Sequence, residues 1–497
     1  MTGATTRRRL KVLLPILGAL ALLAPLVFMW QASLVPKRFT VQEMGYPDYG
    51  VGPGAHGPGS GHGPGAAGSV SVSSLIADPA RPADKEYDLT AAAATLDIGG
   101  RAVPGFTLNG SSPGPTIEAE VGDLVEVRLR NESVPEGVAL HWHGIDVPNA
   151  MDGVAGVTQD AVMVGAEFRY RFVVDRVGTY WYHSHQLSHE QVIGGLLGAL
   201  VVQPKRGPVG NAVEVVAVAH TYAGVKTLNG QPGDQRVAAR PGQSVRVRLI
   251  NTDNGPIEVW PSGEYRALAI DGTDVHEPGV VRDYSVTVTA GGRVDLGLTM
   301  PADGSPLRVQ VSKGTAVILG TGDLPAPPQP VEPLNLLAYG TPRPEGLGFD
   351  PNQPDRTFEY SIGRRPGFVR GWPGLWWSIN GHTFPNVPMF MVREGDVVRM
   401  HIDDNSGEVH PMHLHGHHAV VLAHNGVRAT GSPWWVDSLN VRDGETYDIA
   451  FVADNPGVWM DHCHNLEHAA DGMVAHLMYE GVTTPYTIGR GTPNHPE

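Results

Sequence analysis

Apolar and polar residues alternate along three stretches of the chain, residues 124–131, 244–251 and 397–402. A period of two puts every second side chain on the same face, so each stretch predicts a β-strand with one buried and one wet side. The residues around these strands are themselves repeated. Leu108-Asn109-Gly110, Leu228-Asn229-Gly230 and Ile379-Asn380-Gly381 precede them, followed by Gly122-Asp123, Gly242-Gln243 and Gly395-Asp396 respectively. Each unit reads as a turn, a short segment, a second turn and an alternating strand. Three copies imply an all-β chain built from three related Greek-key sandwich or barrel domains. Their expected extents are 73–205, 206–323 and 351–485. A connector over 324–350 separates the last two, and five prolines fall within residues 324–333 of it.

The first 72 residues follow other rules. Arg7, Arg8, Arg9 and Lys11 precede an uncharged run of 19 residues, 12–30, close to the roughly 20 needed to cross a bilayer as a helix. The flanking cations predict a cytoplasmic N-terminus and an exported remainder. Residues 1–40 are therefore expected to act as a retained membrane anchor. A cleaved signal peptide is the alternative, although Ala19 and Ala21 lie inside the run and no small-residue cleavage site clearly follows it. Residues 6–11 also resemble a degenerate twin-arginine export signal. Residues 41–72, with two copies of His-Gly-Pro-Gly at His56 and His62, read as a flexible spacer that would hold a globular body off a membrane.

Composition narrows the function. The 63 glycines and 42 prolines make up about a fifth of the chain, against roughly 12% on average, which suits short strands and turns. The formal charge of −15 argues against nucleic acid as a partner, since phosphate binding requires a basic footprint. A single cysteine, Cys463, leaves no disulfide possible within the chain.

The histidines are the strongest signal. His-x-His occurs five times among 22 histidines, at 141/143, 183/185, 413/415, 415/417 and 462/464, where random placement predicts about one. On a strand the two imidazoles of such a pair face one point in space, as a metal cluster requires. The pairs belong to the first and third repeats, so the metals are expected between those two domains.

These motifs stand as His141-Trp142-His143-Gly144, His183-Ser184-His185, His410-Pro411-Met412-His413-Leu414-His415-Gly416, and His462-Cys463-His464 running on to His468 and Met473. In identity, order and spacing they resemble the copper motifs of three-domain multicopper oxidases of the laccase type, over roughly residues 75–485. The resemblance implies cupredoxin-like domains and four copper ions. His410, Cys463 and His468 would hold the type 1 copper, with Met473 as a weak axial ligand, the geometry of an electron-transfer copper. His141 and His413 would hold the type 2 copper. His143, His183 and His464 would take one type 3 copper, and His185, His415 and His462 the other. Zinc fits poorly, because ten histidines with one thiolate match none of its four-ligand patterns.

The resemblance further implies an oxidase that takes single electrons from a small-molecule or metal-ion reductant and passes them to O2. Phenols, aromatic amines and low-valent metal ions are the substrate classes it leaves open. Asp152, nine positions after His143, stands where the family places a carboxylate near the type 2 copper and is the expected proton carrier. Ala469 departs from the Glu that many bacterial relatives carry directly after the second type 1 histidine. A copper nitrite reductase would not need the full set of trinuclear histidines, and a decayed copper store should have lost some of them.

Overall fold

The computed structural model describes residues 17–55 except 19 and 22, then 69–205, 207 and 212–497. The N-terminal arginine cluster, residues 12–16 of the apolar run and both His-Gly-Pro-Gly copies lie outside the described residues. Each repeat forms two packed sheets. The first domain pairs a four-stranded sheet holding Lys85–Ile98 and Leu124–Asn131 with another holding Leu140–His143 and Gly178–Ser184. Seven- and five-stranded sheets form the second domain, and seven- and six-stranded sheets the third.

The alternating strands occupy the same place in all three. Leu124–Asn131, Ser244–Asn251 and Val397–Asp404 each run parallel to the strand that opens their repeat and antiparallel to a later strand of it. The Asn-Gly pairs explain the common register. Asn109, Asn229 and Asn380 have φ of 54°, 51° and 52°, and each is followed by a glycine that is also at positive φ. This is the two-residue turn whose twist matches a hairpin. Each asparagine side chain then clamps the neighbouring strand. Its carbonyl oxygen accepts from Thr90, Val218 or Ser361 N–H at 2.7–2.8 Å, and its amide donates to the carbonyl two residues earlier. One residue type thus makes the turn and satisfies two backbone groups of the adjacent strand. Three separate apolar cores lie between the sheet pairs.

Two expected spacers are integrated into the body. Residues 41–55 are not a free linker: Phe39, Val41 and Met44 are buried in the third-domain core. Tyr46–Asp48 adds a parallel strand beside Pro388–Val392. Glycine content suggested a flexible coil, but the apolar residues just before it gain more by burial than the segment loses in chain entropy. The connector after 324 is docked as well. Leu334 N–H donates to Ser285 O of the second domain, and Leu337 O accepts from Thr430 and Gly431 of the third. Among the described residues, no helix is long and apolar enough to cross a membrane.

Candidate metal centre

Leu140–His143 pairs with Gly178–Ser184 so that His141 lies opposite His183. In the third domain, His410–Leu414 pairs with Val458–Cys463, placing His413 opposite His462 and Met412 opposite Cys463. Strand alternation sends His462 and His464 to one side and Cys463 to the other. The chain therefore divides its ligands between two sites that share a backbone.

His410, Cys463 and His468 form the first site, all buried. Cys463 Sγ is 3.6 Å from His410 Nδ1 and 3.7 Å from His468 Nδ1, and the two nitrogens are 3.2 Å apart. A point equidistant from the three lies roughly 2.0 Å from each, the length of a first-row metal–nitrogen bond. Each ring turns Nδ1 inward and anchors Nε2 outside: His410 on Ser406 Oγ at 2.8 Å, His468 beside the Asn465 amide at 3.0 Å and Glu408 at 3.4 Å. Met473 is buried in the same core, and its carbonyl accepts from Cys463 N–H. Burial pushes the Cys463 thiol well up, so a cation at the centre is what would hold it as thiolate.

The other eight histidines converge from the first and third domains. The triplets His143/His183/His464 and His185/His415/His462 each bring three ring nitrogens together, and His141 lies with His413. His141 and His413 approach Nε2 to Nε2 at 3.3 Å, as do His185 and His462, while His415 and His462 stand at 3.1 Å. Their far nitrogens are engaged: His141 Nδ1 with Asp152, His413 Nδ1 with Asp437 O, His185 Nδ1 with Pro496 O. An Nδ1–H donated outward leaves a lone pair on Nε2 facing inward. Facing lone pairs at these distances repel unless a cation lies between them. His183 Nε2, His143 Nδ1 and both ring nitrogens of His464 are buried without a partner. Burial first, then the neighbouring imidazoles, holds His143, His183, His413, His415 and His462 well below the ordinary histidine range. Burial likewise brings His185 and His464 down to about 3. Neutral, converging, unpartnered imidazoles beside one thiol fit a set of copper ions.

Sequence reading had no signal for several groups around this cluster. Asp437 sits 3.1 Å from His143 Nε2, and its two carboxylate oxygens accept from Arg293 Nη1 and Nη2 at 2.6 and 2.7 Å. Arg293 comes from the second domain and also donates to Thr179 O of the first. The domain without a copper motif therefore closes the cluster with one buried arginine. Gly144 makes room for it: a Cβ there would stand 2.1 Å from Arg293 Nη2. Gly291 does the same beside the ligands, where a Cβ would stand 2.7 Å from His143 Cε1. The segment after 485 also reaches the cluster, with Glu497 Oε1 3.2 Å from His462 Nδ1. Burial raises that carboxyl to about 8.

Asp152 lies where two ligands meet. Its Oδ1 accepts from His141 Nδ1 at 3.0 Å and from His415 Nδ1 at 3.2 Å. It therefore touches the outward edges of the rings and fixes their tautomers. His417 and His418 stay outside both sites, His417 paired with Tyr479 and His418 with Asp146.

Two multicopper oxidase profiles match the chain, over residues 90–207 and 350–481, together half its length. A multicopper oxidase of Mycobacterium tuberculosis (strain ATCC 25618 / H37Rv) is 27% identical over 488 residues, covering 83% of this chain and 92% of that protein. Laccase-1 of Botryotinia fuckeliana is 27% identical over 473 residues, covering 81% and 83%. The solved structure of a multi-copper oxidase from Pseudomonas thermotolerans superposes with a TM-score of 0.65 at 28% identity, covering 80% of this chain and all of that one.

Proposed function

The chain belongs to the multicopper oxidase family, and from that premise we propose that it is an exported, membrane-anchored oxidase of phenols or aromatic amines. Copper, when bound, supplies one-electron redox chemistry, coupling four single-electron oxidations of the reductant to four-proton reduction of O2 to two waters. The chain's own residues hold and connect the sites. His462-Cys463-His464 joins the type 1 thiolate to the trinuclear imidazoles through a few covalent bonds. Asp152 holds His141 and His415 and is placed to carry protons beside them.

One observation carries the choice of reductant. Of the type 1 ligands, His468 is 8% exposed, while His410 and Cys463 are fully buried and Met473 is 1% exposed, so electrons enter at the His468 ring. The rim there is aromatic, and the charged groups that act on His468 are Glu408, Asp471 and Glu467 with Arg364. Trp377 packs on His468 at 4.3 Å between centroids, and the Arg364 guanidinium lies 3.8 Å above the Trp377 ring. Arg364 also pairs with Glu408, the carboxylate beside His468. Arg364 compensates Glu408, the carboxylate nearest the His468 ring, so the aromatic rim favours an aromatic reductant over a divalent cation. Retention of the anchor is supported by Ser33, just after the apolar run, which is buried and accepts from Gly371 N–H.

The test is steady-state kinetics on phenolic, ferrous, manganous and cuprous substrates in parallel, with copper stoichiometry and oxygen uptake. Four coppers per chain and the highest kcat/KM on phenols are expected. Cys463→Ser should lose the blue band and substrate oxidation while keeping most trinuclear copper, because a serine oxygen is too hard to replace the thiolate. A higher kcat/KM for ferrous or cuprous ion would overturn the substrate assignment. A persisting blue band in Cys463→Ser would overturn the type 1 site.

A further inference from the structure

The hairpin that covers the type 1 ligands ends in an exposed apolar tip. Its strands, Arg356–Val369 and Trp372–Ile379, pair from Ile362 opposite Ile379 out to Val369 opposite Trp372. At the base, Trp377 packs on His410 and His468. At the tip, Trp372 is 73% exposed and Leu375 61%. The two lie on opposite faces of the strand, one on each side of the tip, and the turn between the strands holds the exposed Arg370. Moving these two side chains out of water is favourable.

The same tip is joined to the N-terminal apolar run. Gly371 N–H donates to Ser33 Oγ at 3.1 Å. A Cβ on Gly371 would stand 3.1 Å from Leu34 Cδ2 and 3.3 Å from Trp30 Nε1, and one on Gly367 would stand 3.7 Å from Met29 Cε. Leading into that contact, Leu23, Val27 and Phe28 are 55%, 51% and 72% exposed. The chain is fixed to the body nine residues after the run, where Phe39 is buried and exchanges backbone hydrogen bonds with Ile488. Arg370, in the turn of the tip, is exposed, as are Lys37 and Arg38 a few residues after the apolar run.

We propose that the Trp372–Leu375 tip docks into the interfacial layer of the bilayer that holds residues 12–30, so that the type 1 ligands open toward the lipid surface. This rests on the anchor reading given above. Tryptophan favours the headgroup level, where its ring is apolar and its N–H is wet. Cations near an anionic lipid surface add to the attraction. The net charge of −15 disfavours approach to such a surface by the rest of the body, which selects this orientation. The reductant then comes from the membrane as a lipid-partitioned aromatic diol: two quinols each give up two electrons and two protons in single-electron steps, one O2 takes the four electrons and four protons, and two quinones and two waters result.

The test uses the full-length, copper-loaded chain with phosphatidylcholine/phosphatidylglycerol vesicles. An environment-sensitive fluorophore is attached at Leu375→Cys and, as a control, at Val331→Cys, a connector residue 97% exposed. The chain should float with the vesicles. The probe at 375 should shift to the blue and be quenched by lipid-borne nitroxide, while the probe at 331 stays open to aqueous iodide. Trp372→Ser combined with Leu375→Ser should leave oxidation of a water-soluble phenol unchanged and slow oxidation of a vesicle-borne quinol by roughly tenfold or more, because the tip no longer gains from leaving water. If the chain floats but position 375 remains as open to iodide as 331, or quinol oxidation is unaffected in the double variant, the docking surface is refuted and the anchor stands. If the chain does not float, both fall.

Discussion

Arg293→Met isolates the part played by the second domain. In the folded protein the Arg293 guanidinium is fully buried, makes two short bonds to Asp437 and donates to Thr179 O. Methionine preserves much of the volume but removes the charge, leaving the Asp437 carboxylate buried beside His143, His418 and the Asp271 carboxylate. Breaking one side of a buried pair in this way costs about 3–5 kcal/mol. The lost bond to Thr179 O adds about 1 kcal/mol. Both partners sit at the meeting of three domains, so the loss should appear as earlier separation of the copper cluster as well as lower stability. Asp437 orients His143 through its carboxylate and His413 through its carbonyl. Loosening such outer partners typically weakens metal affinity 10–100-fold. Urea unfolding followed by tryptophan fluorescence, with chelator titration of the trinuclear and type 1 copper signals, reads both effects. Trinuclear copper should leave first, since His410, Cys463 and His468 have no contact with this pair. Arg293→Lys, which keeps the charge without the planar fork, should fall between wild type and Arg293→Met. A loss below about 1 kcal/mol, together with unchanged chelator resistance, would show that the arginine is not the clamp.

Two further outcomes follow from nearby carboxylates. Burial, with the Asp437 charge adding to it, raises Asp271 to about 7; such a group contributes stability that is fully present below its unfolded value near 4 and is lost as pH rises through about 7. Asp271→Asn should therefore flatten the fall in unfolding free energy between roughly pH 4 and 7 by an amount on the order of a few kcal/mol, and an unchanged slope in urea melts across that range would contradict the assignment. Asp152→Asn keeps one oxygen that both His141 and His415 reach but loses the charge and sets its amide 3.2 Å from His415 Nδ1, so trinuclear copper should bind about 10–100-fold more weakly and, once loaded, reoxidation by O2 should slow by about 10²-fold or more. Anaerobic reduction of the type 1 copper should stay at the wild-type rate in stopped flow, and equally fast reoxidation would remove Asp152 from the proton path.

What the sequence determined by itself was local in origin. Strand alternation and the Asn-Gly turns are properties of a few consecutive residues, and they specify the three repeats wherever those repeats end up in space. The spacing in His141-Trp142-His143 or His462-Cys463-His464 likewise states which side chains share a face before any partner strand is known. The candidate ligands were legible because the paired histidines of each motif carry their geometry within three to six residues. Tertiary structure decided the rest. Arg293 and Asp437 are 144 residues apart and carry no spacing that links them, so only the meeting of domains makes them a pair. Residues 41–55 have the composition of a spacer, yet a free sheet edge beside Pro388–Val392 turns part of them into a strand. Asp152 stood out by position, but which ring edges it faces follows from how the first and third domains close on each other. Contacts within a strand are set by the period of the backbone, whereas contacts between domains depend on which buried surfaces fit, and no short pattern of residues encodes that fit.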